Sequence, residues 1–218
     1  MRTKRVGDHA LLLLVDDPRS AVAVRNLVVD LASRPGQPGR APLAAPVEIV
    51  PAARTVLVDG LPGPVAVERW QALLAGVSLH DYEAGRSDPP GEPVTIDVTY
   101  DGADLDVVAR VWACSREAVV TRHTRTMFLV AFCGFVPGFA YCVAAEPFPE
   151  VPRREVPRER VPGGSVALAG EYCGVYPTAT PGGWQLVGAT SARLFDADRP
   201  EPALLSPGDR LRFRATSP

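Results

Sequence analysis

Four arginines, Arg153, Arg154, Arg158 and Arg160, stand in one proline-stiffened stretch between Pro149 and Pro162. A guanidinium offers a planar fork of donors that matches a carboxylate or a phosphoryl group. Glu150, Glu155 and Glu159 are interleaved with them, so a solvated, mutually ion-paired wall fits the same residues. The stretch runs into Pro162-Gly163-Gly164-Ser165, whose backbone N–H groups could add to an anion cradle. Pro181-Gly182-Gly183-Trp184 opens a second loop of the same kind. His123 lies in TRHTRT beside Arg122 and Arg125; it is either a helix-end histidine or an acid, base or donor facing a cleft. If these loops meet at one rim, His123, Arg154 and Tyr141 are the candidate catalytic groups. Arg153, Gly138, Gly164, Ser165, Tyr176, Gly182, Gly183 and Trp184 are then the candidate substrate-binding groups.

Other chemistries find no support. There is no G-x-x-x-x-G-K-[ST] and no G-x-G-x-x-G following a strand, which leaves no P-loop or Rossmann site. G-x-S-x-G is missing, so Ser165 in PGGSV is not a nucleophile elbow. The four cysteines (Cys114, Cys133, Cys142, Cys173) form no C-x-x-C pair, and the three histidines are scattered; no metal site is expected, and buried reduced thiols are. A formal charge of −2 gives no global attraction to nucleic acid or an anionic membrane. The apolar run Ala10–Val15 is too short for a secretory or spanning segment, so the expected location is the cytoplasm.

The elements that must position these residues fall into two groups. His9–Val15 reads as a strand, followed by a helix capped by Ser20 with Val24, Leu27, Val28 and Leu31 on one face. Ser33-Arg34-Pro35-Gly36 ends that helix. Val47–Val50 and Thr55–Val58 read as neighbouring strands, and Pro62-Gly63-Pro64 opens a second helix carrying Val67, Trp70, Leu74 and Val77. Asp16-Asp17 reads as a solvated loop. Val94–Val98 either completes a ferredoxin-like split βαβ or begins the next domain. Tyr82–Pro93 has linker composition, which sets domains at 1–88 and 89–218. Beyond it, 101–114 and a segment capped by Ser115 read as helices, and Thr126–Cys133 as a buried strand. After that come short strands (Ser165–Leu168, Trp184–Val187, Arg210–Arg214) punctuated by Pro-Gly turns, which imply a closed or sandwiched β unit.

GFVPGFAY, PRREVPRERVPGGSV, GVYPTATPGGWQLVG, LFD and PALLSPGDRLRF, in that order, resemble the family of the 5-oxoprolinase B subunit. That group is also called allophanate hydrolase subunit 1 or the Kip-type kinase inhibitor family, and it corresponds to half of a urea carboxylase carboxyltransferase domain. The resemblance is strong over 94–215 and looser before. It implies an α+β chain with an N-terminal ferredoxin-like subdomain and a C-terminal cyclophilin-like β-barrel. It also implies ATP-dependent opening of 5-oxo-L-proline to L-glutamate together with the C and A subunits of 5-oxoprolinase as partners. ATP is then a substrate, accompanied by Mg2+, and no biotin is carried on this chain. Two alternatives come with the family: docking on a sensor histidine kinase as an inhibitor, or acting as half of a carboxyltransferase. The chain departs from the family pattern at Cys142-Val143-Ala144, at Tyr172-Cys173 and at Ala189.

Overall fold

Alternation of large apolar residues in the N-terminal region builds a sheet with one buried face. In the computed structural model, which describes residues 1–33, 47–84 and 92–216, these residues belong to the first of two units, Met1–Gly91 and Glu92–Pro218. The first unit holds β1 (Arg2–Val6), β2 (Ala10–Leu14), α1 (Pro18–Ser33), β3 (Glu48–Pro51), β4 (Thr55–Asp59), α2 (Pro64–Ala75) and α3 (Leu79–Ala84). Its antiparallel sheet has the order β1-β2-β4-β3. Strands β2 and β3 therefore run parallel on either side of β4, joined through α1, which is the split βαβ of a ferredoxin-like unit. Leu11, Leu13, Val56 and Val58 meet Val24, Leu27 and Val28 of α1 and Val67, Trp70 and Leu74 of α2 in one core.

Three local points are decided here. Of the two readings of Val94–Val98 the second holds, since it lies in the second unit, and the sheet edge that the first would have given it is taken by β1, paired in register from Arg2 opposite Leu14 to Val6 opposite Ala10. Its sequence, RTKRV, shows almost no apolar face, and its charges suit an edge strand. The helix start is not capped by Ser20. Asp17 caps it, accepting from the Ser20 backbone N–H at 2.9 Å and the Ser20 hydroxyl at 2.6 Å. Burial works against the Asp17 charge, but these hydrogen bonds hold its carboxyl below the ordinary value. Tyr82 is not linker either: it lies on α3 and its hydroxyl donates to Asp30 at 2.5 Å. The Arg34-Pro35-Gly36 stop and residues 85–91 of the expected linker lie outside the described residues.

The second unit comprises β5 (Val94–Val98), α4 (Leu105–Val111), α5 (Arg116–Arg125), β6 (Phe128–Cys133), β7 (Ala140–Ala144), β8 (Arg158–Val161), β9 (Ser165–Ala169), β10 (Tyr172–Val175), β11 (Thr180–Gly182), β12 (Gln185–Ala189) and β13 (Arg210–Ala215). Ser115 caps α5 as its sequence implies, accepting from the Ala118 N–H. Seven strands form one sheet in the order β12-β9-β10-β7-β6-β13-β5, and β8 and β11 form a separate ribbon. The sheet curls until its ends meet. Thr99, just after β5, and Ala189, at the end of β12, exchange backbone hydrogen bonds of 2.9 Å in both directions. Gly102 N–H then reaches Val187 O at 3.2 Å, and Asp104 N–H reaches Leu186 O at 2.9 Å. Glycine makes this seam possible, because a methyl group on Gly102 or Gly188 would overlap backbone atoms of the opposing side.

Period-two alternation then sorts the barrel wall. Ala140, Cys142, Val166, Leu168, Cys173, Val175 and Val187 point into a core with Phe128 and Phe213. Tyr141, Ala167, Ala169, Tyr172 and Leu186 point outward, where Phe139, Tyr176 and Trp184 pack on them. Gly174 lies on this outer face: a Cβ there would sit 3.0 Å from the Phe139 ring and 3.1 Å from the Trp184 ring. Its missing side chain lets both rings lie close on the sheet. Cys142 and Cys173 fit the expectation of buried reduced thiols, whereas Cys133 is exposed and Cys114 half-buried.

Candidate functional site

The arginine stretch is held by hydrogen bonds to its backbone, one of them from the Gln185 side chain. Val151 pairs with Gly170 through two hydrogen bonds of 3.1 and 2.6 Å, Pro152 O accepts from Gln185 at 3.0 Å, and Arg154 N–H donates to Gly183 O at 2.8 Å. The segment around Arg153 is thus fixed on both sides. In an extended chain successive side chains point to opposite sides, and the adjacent arginines separate accordingly.

Arg154 turns toward the barrel seam. Its guanidinium lies 3.2 Å from Asp104 Oδ1, that of Arg158 lies 2.8 Å from the same oxygen, and Oδ2 accepts the Leu186 N–H at 2.7 Å. Asp104 is buried. Desolvation opposes its charge, but the hydrogen bonds from Arg158 and Leu186 and the field of both arginines hold the carboxyl below its ordinary value. The arginine wall is therefore neither a set of exposed pairs with Glu155 and Glu159 nor a two-arginine anion clamp. Arg154 and Arg158 tie the segment to a buried carboxylate at the start of α4.

Arg153 turns the other way, to the rim of a cavity of about 460 Å3 on the outer face of the barrel wall. Phe135, Phe139, Tyr141, Tyr172 and Trp184 supply aromatic walls, with Pro152, Pro181, Gly182 and the Ala169-Gly170 turn around them. A methyl group on Gly183 would touch the Arg153 guanidinium at 3.7 Å, and one on Gly182 would overlap the Tyr176 hydroxyl. Tyr141 stacks on Phe132 with ring centroids 4.3 Å apart and meets Trp184 edge-on at 5.6 Å. Burial raises the Tyr141 and Tyr176 hydroxyls above their ordinary pKa, more than the nearby Arg153 charge lowers them. Both stay protonated at neutral pH. The cavity thus combines one exposed cation, the neutral Tyr141 phenol and flat apolar walls, a set suited to a small ring bearing a carboxylate.

Tyr176 and Gly183 flank this cavity without lining it, and five more of the residues expected at the site stand elsewhere. His123 is fully buried in the barrel core, stacked on Phe213 at 4.5 Å. Its Nδ1 meets the Tyr100 hydroxyl at 2.7 Å and its Nε2 meets Cys173 Sγ at 3.2 Å. Burial pushes its pKa down to about 3, so it is a neutral core imidazole rather than an exposed helix-end group or an acid in a cleft. Arg154 is the Asp104 partner described above. Gly164 N–H donates to Tyr176 O at 2.7 Å and Ser165 N–H to Pro162 O at 3.3 Å; the glycine loop closes on its own neighbours and presents no cradle there. Gly138 holds a turn against Leu194 and Phe195 and does not line the cavity. Sequence reasoning did not single out Asp104. The signal was an aspartate just before an apolar helix, which reads as a cap, yet its side chain caps nothing on α4.

No group of three or more His, Cys, Asp and Glu among the described residues is arranged to hold a metal ion. No described helix is long and apolar enough to cross a membrane.

The chain matches the family described as carboxyltransferase domain, subdomain C and D, over residues 1–205. It is 47% identical over 134 residues to the 5-oxoprolinase B subunit of Escherichia coli O157:H7, covering 60% of this chain and 62% of that one. It is 35% identical over 150 residues to the protein of the same name from Haemophilus influenzae, covering 67% of each. The matched region thus spans under two thirds of the length of the first relative. Among solved structures, that of TTHA0988 is 32% identical with a TM-score of 0.70, covering 97% of this chain and 41% of the other. The Kluyveromyces lactis urea carboxylase, 19% identical with a TM-score of 0.58 and covering 99% of this chain and 22% of the other, shares the fold. With an antiparallel split-βαβ unit and a nearly closed barrel that carries the expected motifs on its wall, this chain belongs to the carboxyltransferase subdomain C and D family, that of the 5-oxoprolinase B subunit.

Proposed function

We propose that the chain is a subunit of an ATP-dependent 5-oxoprolinase that opens 5-oxo-L-proline to L-glutamate with the C and A subunits as partners. The observation that carries this reading is the exposed Arg153 guanidinium at the rim of an aromatic cavity containing a protonated Tyr141. The cation receives the ring carboxylate, the aromatic walls receive the ring, and Tyr141 offers a proton donor. A lactam is a stable amide with a poor leaving group. Transfer of the terminal phosphoryl group of ATP to its carbonyl oxygen makes the carbon susceptible to water. ADP leaves at that transfer; one water adds to the carbon, the C–N bond breaks to leave an acyl phosphate with the nitrogen taking the proton, and a second water hydrolyses the acyl phosphate to glutamate and phosphate. Positioning and charge neutralisation are the protein's part in such a transfer. Mg2+ accompanies the nucleotide, and the partner subunits supply the nucleotide-binding groups that this chain's sequence lacks, so the chain alone turns over little or no substrate. The reaction needs no biotin on this chain.

The test is 5-oxoproline-dependent ADP release by the complex reconstituted with the C and A subunits. Arg153→Ala is expected to lower kcat/KM ten- to a hundredfold, as loss of a charge-assisted hydrogen bond of about 1.5–3 kcal/mol does. Unchanged turnover in that variant, or full activity from the chain alone, refutes the reading.

A further inference from the structure

Phe135 combines three properties that ordinary packing does not explain. Its backbone has φ 77°, in the left-handed region that a bulky side chain rarely enters. Its side chain is 60% exposed, so burial does not hold the ring there. It also lines the Arg153 cavity, meeting Phe139 edge-on with centroids 5.6 Å apart. The loop that carries it is closed on itself. Gly134 N–H donates to Phe139 O at 3.2 Å, and Phe139 N–H donates to Val136 O at 3.0 Å. Gly138, at φ 83°, packs the loop onto Phe195 and Leu194. The surrounding hydrogen bonds thus fix Phe135 in a conformation that glycine would adopt without strain. Strained residues persist where the surroundings over-determine them, and they gather at ligand sites.

We infer that Phe135 is the specificity wall of this cavity, held at a strained backbone position so that its ring covers the flat ring of a small cyclic carboxylate bound at Arg153. The inference rests on the 5-oxoprolinase reading and adds the residue that separates the ring form from open-chain acids. A flat apolar face against the substrate ring acts alike in the ground and transition states, so its loss appears in KM rather than in kcat. An open-chain acid presents no flat ring to this wall and gains little from it.

The experiment uses the reconstituted complex and the thermal unfolding of the full chain. Phe135→Gly is expected to raise the KM for 5-oxo-L-proline about tenfold with kcat nearly unchanged, and to weaken competitive inhibition by L-glutamate less than twofold, each from loss of the ring face. The same variant is expected to raise Tm by about 2–4 °C, because glycine relieves the positive φ and little buried surface is lost. Phe135→Tyr keeps a flat ring and is expected to keep the wild-type KM. A fall in Tm with unchanged KM makes Phe135 a structural residue and overturns the inference. If Arg153→Ala impairs the complex while Phe135→Gly leaves KM untouched, the inference fails and the site reading stands. If neither variant changes an active complex, the cavity is not the substrate site and both fail. A complex without 5-oxoproline-dependent turnover overturns the function, and this inference with it.

Discussion

At the residue scale, Arg153→Ala and Arg154→Ala are expected to fail in opposite ways although the two positions are adjacent. Arg153 is exposed and pinned only through its backbone neighbours, so its loss should reduce turnover and leave Tm unchanged. Arg154 is one of two cations on the buried Asp104 carboxylate, so its loss should lower Tm and reach activity only through the shape of the segment. Asp104→Ala goes further. It leaves Arg158 and the Leu186 N–H without their acceptor, a loss of about 3–5 kcal/mol in denaturant unfolding. The Asp104 carboxyl is held below its ordinary value, so its contribution is present above the unfolded-state pKa and is lost as pH falls through the folded one. His123 gives a separate acid response. Folding holds its pKa down at about 3, while the unfolded chain takes up the proton near 6.5. Between those values the unfolded state binds more protons, so stability should fall by about 1.4 kcal/mol per pH unit on acidification from that group alone. Denaturant midpoints across pH 4–7 check this. His123→Gln should flatten the slope, and an unchanged slope would place the titration elsewhere.

The element scale concerns how the barrel closes and how its outer face is dressed. Gly102 and Gly188 sit where β12 meets the chain leaving β5, with backbone from the other side filling the space of a side chain. Gly188→Ala should therefore open the seam. A Tm loss of more than 10 °C or failure to fold is expected, with faster amide exchange at Thr99 and Ala189 in whatever remains folded. Gly174→Ala is milder because its neighbours are mostly ring atoms at the limit of contact. It should displace Phe139 and Trp184 and change the Trp184 fluorescence while the barrel persists. Much at this scale was readable in the sequence. Ser165–Ala169, Arg210–Ala215 and Phe128–Cys133 carry apolar patterns of strand type. Strands β1, β8 and β11 do not, since each is short or polar and exists by virtue of its partner.

On the scale of the whole molecule, the division between the two units along the chain follows a stretch of linker composition, Gly85-Arg86-Ser87-Asp88-Pro89-Pro90-Gly91. Limited proteolysis is expected to cut there first and release a stable C-terminal fragment that mass spectrometry identifies by its N-terminus. First cutting within Val151–Val161 would contradict both that boundary and the pinned arginine segment. The composition also has little to say about partners, because a formal charge of −2 directs the chain toward no class of macromolecule.

The sequence by itself determined the family, the α+β class and the turn-punctuated barrel. Those depend on motif order, alternation and Pro-Gly spacing, which are local or nearly so. Four of the residues it singled out, Arg153, Tyr141, Gly182 and Trp184, surround one cavity. Only the tertiary structure decided which of two adjacent arginines faces that cavity, because side-chain direction depends on how Val151 and Arg154 are pinned by strands far along the chain. It decided that His123 is core, because its burial is created by Phe128, Cys173 and Phe213 from three separate strands. It decided the role of Asp104, whose partners lie 50, 54 and 82 residues away. Burial and charge pairing are properties of what folding brings together, and no spacing along the chain encodes them.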